Sequence, residues 1–196
     1  MTTTEISSDT RTRILSAAWS RVRDVGVAAV TVKDVAADAG VSRQLVYFHY
    51  RNRAGLLTAM VREHDRTSGF DRRLAEAGAL PPVEAFEAVL RAWLHYLPQL
   101  LPVARALEAA AITGDVGGEA WQDRMAALRA VCREAVQRLE AAGRLRPGWT
   151  VREATDWTWS RVHPATYAHL VGDRSWPSED FGERTVRSLI GDLVVP

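Results

Sequence analysis

Cysteine is almost absent from this chain: its single residue, Cys132, cannot form an intramolecular disulfide and excludes a cysteine-rich zinc site. It reads as a small buried hydrophobe. No run approaches the 18 or more apolar residues of a membrane span, and the opening MTTTEISSDTRTR lacks the apolar segment of a signal peptide. Those absences predict a cytoplasmic protein with no membrane partner. Alternating Val/Ile/Thr-rich segments of strand length are missing as well. So are catalytic signatures: His95, His163 and His169 lack metal-ligand spacing, no Gly-rich loop follows a strand, and no nucleophile elbow occurs. Neither an enzyme nor a cofactor is expected.

What is present is the composition of an ordinary globular protein, 47% hydrophobic and 25% charged over 196 residues. The net charge is +1, yet residues 1–69 hold ten Lys/Arg and seven Asp/Glu, against fifteen and seventeen in the remainder. A mildly basic first third joined to a mildly acidic body suits a nucleic-acid head on a part with another task.

Glycine and proline divide the chain into helical windows, which predicts an all-α protein. Three short helices come first, over 10–25, 31–39 and 42–50, stopped at Gly26 and Gly40. A longer one follows Asn52, an N-cap candidate, and runs with an interruption near Gly69 to Gly78. The next spans Pro82 to Leu97, Pro98 and Pro102 are expected to break it, and a further helix covers 103–112. Beyond the glycines at 114, 117 and 118, a long helix over 119–142 carries the stripe Trp121, Met125, Leu128, Val131, Cys132, Ala135 and Leu139. Residues 151–171, with a kink expected at Pro164, and 179–194, capped by Ser178, complete the series. The expected domains are a head over 1–51 and a helical body over 52–196.

The informative segment is TVKDVAADAGVSRQLVYFHY, residues 31–50. Thr31 and Asp34 form a helix-start pattern. Ala36 is small where two helices must approach closely, and Gly40 can take the positive φ that a three-to-four-residue turn requires. Val35, Ala39, Val41 and Val46 supply the apolar positions that hold the helix pair together, and Ser42 caps the second helix. Arg43, Gln44, Leu45, Tyr47, Phe48 and His49 are left for its outward and flanking faces. That set suits a major-groove reader: Arg can pair with guanine, Gln with adenine, and Leu or Phe can touch a thymine methyl. Thr31, Lys33, Tyr47 and Arg53 suit phosphates, which set register without reading sequence.

Residues 13–57 resemble the head of the TetR (tetracycline-repressor-like) family of transcriptional regulators. The matches include Arg13, Ile14, Leu15, Ala17, Ala18 and Gly26, the run Thr31, Val32, Asp34, Val35, Ala36, and then Ala39, Gly40, Val41, Ser42, Tyr47, His49, Tyr50 and Leu57. Arg53 stands where the family usually has lysine. Gln44 and Leu45 replace a frequent Gly-Thr, and Ala54 replaces an acidic residue, so operator sequence does not carry over. The resemblance implies a three-helix helix-turn-helix head, a connecting helix, and a helical ligand-binding and dimerisation domain. It also implies a homodimer through the last two helices, bound to a double-stranded operator and, most commonly, repressing. An activator, or a helical small-molecule binding protein with the same head, is the alternative.

Six of the seven tryptophans lie beyond residue 90. Trp93, Tyr96, Trp121, Met125 and Trp159 are either plain core or the walls of a cavity for an apolar or aromatic effector. Arg124 and His163 are either a snorkelling and a satisfied side chain or the polar groups of that cavity. On the terminal helix, Gly182, Val186, Leu189, Ile190 and Leu193 form an apolar stripe that a second subunit is expected to cover.

Overall fold

The computed structural model describes the backbone of residues 3–195 and the side chains of residues 9–195. Among these residues there are ten α-helices and no strand: α1 (Thr3–Val25), α2 (Val32–Asp38), α3 (Arg43–Tyr50), α4 (Arg53–Thr67), α5 (Phe70–Gly78), α6 (Pro82–Thr113), α7 (Gly117–Ala141), α8 (Val151–Val162), α9 (Pro164–Tyr167) and α10 (Ser178–Leu193). A π-helical stretch, Ala168–Asp173, prolongs α9. The fold is therefore all-α, with a helix-turn-helix at its N-terminal end.

Two compact units are present. The first holds the chain up to Thr67 together with Pro102–Arg124, and the second holds Ser68–Leu101 with the chain from Met125 on. Within the first unit α4 packs on α1 and α3.

In the first unit α1 packs on α2 and α4, and α3 packs on α2 and α4. Ile14, Ala18, Val22, Val35, Val46 and Leu57 are its buried apolar contacts. Trp19 and His64 stack face to face with ring centroids 3.5 Å apart. Burial pushes His64 down to about 4, so this imidazole is neutral near pH 7. Caps fall where the residue types predict: Thr31 accepts from the Asp34 amide, Ser42 from the Leu45 amide, and Asn52 from the Gly55 amide at 2.8 Å. A side chain at Gly55 would place its Cβ 2.4 Å from the Tyr50 carbonyl oxygen, so only glycine lets α4 begin so close to the end of α3.

Three proline and cap expectations are corrected. Pro98 and Pro102 do not break α6, which is continuous for 32 residues. Both prolines are exposed, so their rings lie on the outer side of the helix and leave its buried side unbroken. The buried ridge of Trp93, Leu97, Leu100, Val103 and Leu107 meanwhile runs uninterrupted along the helix. Pro164 does not kink a helix but starts one. The residue before it, His163, is extended (φ −61°, ψ 139°), and proline takes the first helical position, where its missing N–H costs nothing. Ser178 does not cap α10: its hydroxyl accepts from the Tyr167 phenol at 2.9 Å, and Pro177 occupies the cap position.

The second unit is built on an aromatic core. Phe70, at the start of α5, stacks on Tyr96 with centroids 5.1 Å apart and meets Trp93 edge-on at 5.7 Å. Trp93 Nε1 donates to the Val162 carbonyl at 2.7 Å, satisfying an acceptor at the end of α8. Thr150 and Glu153 form a reciprocal capping box at the start of α8, and α8 packs on α10. On α10 the expected intersubunit stripe is largely spoken for: Val186, Leu189 and Leu193 are buried within the chain itself, while Gly182 and Ile190 are half-buried.

Candidate nucleic-acid interface and ligand site

The helix-turn-helix is assembled from short-range rules. Gly40 has φ +64°, the left-handed value the turn needs, and Val35, Ala36, Ala39 and Val46 bury the facing sides of α2 and α3. Arg21 and Asp38 form a two-bond ion pair from α1 to the end of α2, one bond of which, Nη2 to Oδ1, measures 2.8 Å. Held this way, α3 buries Val46 and Tyr50, one turn apart, and exposes Arg43, Gln44, Tyr47 and Phe48. Phe48 is 79% exposed, an unusual position for a phenylalanine unless something docks on it. Leu45 and His49 sit half-buried at the edges of the same face.

The phosphate-type residues divide. Lys33 is exposed on α2, and Ser42 accepts one amide while keeping its hydroxyl proton to donate. Thr31 is committed twice: it accepts from the Asp34 amide and gives its only proton to Asp34 Oδ2 at 2.6 Å. Arg53, expected on a phosphate, is turned into the protein. Its Nε donates to the Val30 carbonyl at 2.9 Å, Nη2 to the Val27 carbonyl, and Nη1 to both Asp115 oxygens at 3.0 and 3.1 Å. The Gly117 amide, with Arg53 beside it, holds the Asp115 carboxyl below the usual carboxylate range. Arg53 thus ties the loop before α2 to the turn between α6 and α7. Arg53→Ala is expected to lower stability by about 2 kcal/mol, a partly exposed cluster losing several charge-assisted bonds. Thermal melting checks the loss, and the salt dependence of duplex binding should stay put; a full unit drop in that dependence with an unchanged melt would return Arg53 to the phosphates.

The residues proposed from sequence for an effector separate as well. Trp121 and Arg124 belong to the first unit, and Trp93, Tyr96, Met125, Trp159 and His163 to the second. Arg124 does not snorkel: it is 4% exposed and pairs with Asp65 at 3.0 Å. Trp93 and Tyr96 are core rings, as described. Trp159 donates to the Met125 carbonyl at 3.3 Å and meets His163 edge-on at 4.8 Å. His163 accepts the Ala165 amide on Nδ1, so it caps α9. A groove of about 510 Å³ does open in the second unit, between α6 and α10, lined by Leu94, His95, Pro98, Gly182 and Val186 with Arg91 and Glu183 ion-paired at its rim. None of the seven residues named from sequence lines it.

Asp115 and Asp65, the partners that redefine Arg53 and Arg124, could not be singled out from the sequence. They stand 62 and 59 positions from those arginines, and no local pattern links them.

Among known proteins, residues 14–60 match the family described as bacterial regulatory proteins, tetR family. The chain is 35% identical over 75 residues to the HTH-type transcriptional regulator TtgR of Pseudomonas putida, covering 38% of this chain and 36% of that one. It therefore spans about a third of the length of the curated relatives it matches. Among solved structures, a Rhodococcus sp. protein described as a TetR-family transcriptional regulator superposes with a TM-score of 0.76 at 22% identity, over 93% of this chain and 97% of that one. NalD of Pseudomonas aeruginosa, the secondary repressor of the MexAB-OprM multidrug efflux pump, gives 0.69 at 23% identity, over 96% and 97%. At these identities the structural likeness establishes a shared fold.

Proposed function

We propose that this chain, whose residues 14–60 match the tetR family of bacterial regulatory proteins, is a ligand-responsive transcriptional repressor that binds a near-palindromic operator as a homodimer and leaves it when a small apolar or aromatic effector binds. The observation that carries this reading is the face of α3. Arg43, Gln44, Tyr47 and Phe48 are exposed together on a helix whose other side is buried and whose start is capped. Bidentate donors beside an apolar ring are what base edges and thymine methyls recognise. Lys33 and Ser42 flank them as the phosphate contacts, with the Tyr47 hydroxyl.

The effector belongs in the second unit, and the groove between α6 and α10 offers it an apolar floor. Support for a repressor comes from the fold shared with NalD, whose description names that role for NalD itself. The dimer is carried by the outward face of α8 and α10, where Trp157 is 37% exposed with the Arg161 guanidinium 5.3 Å above its ring. A two-fold pair sets its recognition helices about 34 Å apart, or a multiple of that. On this reading the protein works in the cytoplasm, on the genome, and has no catalytic step. No helix among the described residues is long and apolar enough to cross a membrane.

Selection of bound duplexes from a random pool, with the whole chain as bait, tests the function. Enrichment of a two-fold sequence supports it. A pool that stays random, or enrichment that persists after Arg43→Ala and Gln44→Ala together, overturns it.

A further inference from the structure

The head carries a second basic feature, away from the exposed face of α3. A groove of about 650 Å³ opens in the first unit along α1 and α4. Four arginines line it, Arg11, Arg51, Arg62 and Arg66, against two glutamates, Glu63 and Glu119, which leaves the lining at +2. Two of those arginines are already neutralised: Arg62 pairs with Asp123, and Arg66 holds Glu63 through two bonds of 2.9 and 2.6 Å. For Arg11 and Arg51 no carboxylate stands within ion-pair distance among the described residues.

Tyr50 also lines this groove. The residue is 7% exposed, and its buried phenol O–H has no acceptor. A buried hydroxyl with no partner is destabilising relative to one that is satisfied, so such a group calls for an explanation, and a bound ligand is one. The charge around it gives the sign of the missing partner. Burial raises the Tyr50 phenol above its ordinary value, and the Arg11 guanidinium, near enough to donate toward the phenol oxygen, opposes that rise without accepting its proton, so the hydroxyl stays a donor beside a cation. An acceptor that takes an O–H and one or two guanidinium forks at once is an oxyanion with several oxygens.

We propose that Tyr50, Arg11 and Arg51 form a phosphate-binding site on the head, taking either a phosphate of the DNA backbone or the phosphate group of a small molecule. Arg51 is held at the mouth of the groove by the tight α3–α4 turn, where it is the C-cap residue with φ 60°. Both sources present the same tetrahedral oxygens. Only the DNA source rests on the operator reading.

Tyr50→Phe gives an effect that packing alone does not. It deletes one O–H that has no acceptor, so the free protein should melt at the same temperature or slightly higher, while phosphate binding weakens by roughly tenfold or more. Arg51→Gln, at an exposed position, is the companion variant. Inorganic phosphate is titrated into the whole chain in chloride buffer and followed by phosphorus NMR, and a scrambled duplex is titrated in parallel at several salt concentrations. Weaker phosphate binding in both variants with unchanged duplex binding assigns the site to a small phosphate compound. Weaker duplex binding, with the salt dependence lowered by about one unit in Arg51→Gln, assigns it to the DNA backbone. Variants that fold and bind both probes like the parent, or a parent that binds neither, overturn the site. A parent that takes phosphate but no duplex removes the operator reading and leaves this site standing.

Discussion

Leu189→Arg is expected to unfold the second unit rather than to separate two subunits. Leu189 is 0% exposed in the single chain, in the face of α10 that the chain itself covers. A guanidinium forced into that buried position loses its hydration, and an unpaired buried charge costs several kcal/mol, about 4 or more. The contrasting substitution is Trp157→Arg on the outward face of α8, which keeps a donor for Asp192, the present partner of the indole N–H at 3.0 Å. Its melt should move by less than about 1 kcal/mol, and sedimentation at micromolar concentration should report monomer in place of dimer. A folded monomer from Leu189→Arg, or an intact dimer from Trp157→Arg, would remove the outward face from the interface.

Arg124→Leu should produce the second large loss. Arg124 and Asp65 form an ion pair with only 4% and 14% of their side chains exposed. Removing the guanidinium leaves a largely buried carboxylate without it, at a cost of about 3 kcal/mol, the lower end for breaking a buried pair because Asp65 keeps some contact with water. For a chain of this length that corresponds to a fall in Tm of roughly 10 °C. Replacing both residues by leucine should recover most of the loss, since an apolar pair of similar volume removes the desolvation penalty along with the attraction. If the single and double variants melt alike, the pair contributes little and Arg124 acts through its packing.

The helix-turn-helix was legible because its signals are local. Thr31 and Ser42 cap the next helix three residues on, Gly40 supplies a turn, and Val35, Ala39 and Val46 repeat at helical spacing. Prolines were harder. Pro164 and Pro98 look alike in the sequence, but whether a proline ends a helix depends on which side of it faces water, and that is a property of the packed unit. Arginine roles were hardest. Arg53 and Arg43 are both exposed-type residues near a DNA-reading motif, and only the folded chain shows that Asp115 and the carbonyls of Val27 and Val30 engage Arg53. The same holds for the aromatics: spacing brought Trp93 and Tyr96 to notice without telling a core from a cavity wall, and Phe70 completes the cluster from a different helix. The apolar spacing of the α10 stripe is legible in the sequence, but its burial is not: Val186, Leu189 and Leu193 are covered within the chain itself, whereas Gly182 and Ile190 are half-buried.

Competition between a selected operator and a scrambled duplex of equal length, at several salt concentrations, decides whether α3 reads base edges through Arg43 and Gln44. Arg43→Ala is expected to cost about 1 to 3 kcal/mol on the operator and far less on the scrambled duplex, so that the ratio of the two affinities collapses. Lys33→Ala should weaken both alike and lower the slope of log K against log salt by about one unit, leaving the ratio unchanged. Equal weakening of both duplexes by Arg43→Ala, together with a changed base preference in Lys33→Ala, would contradict the account.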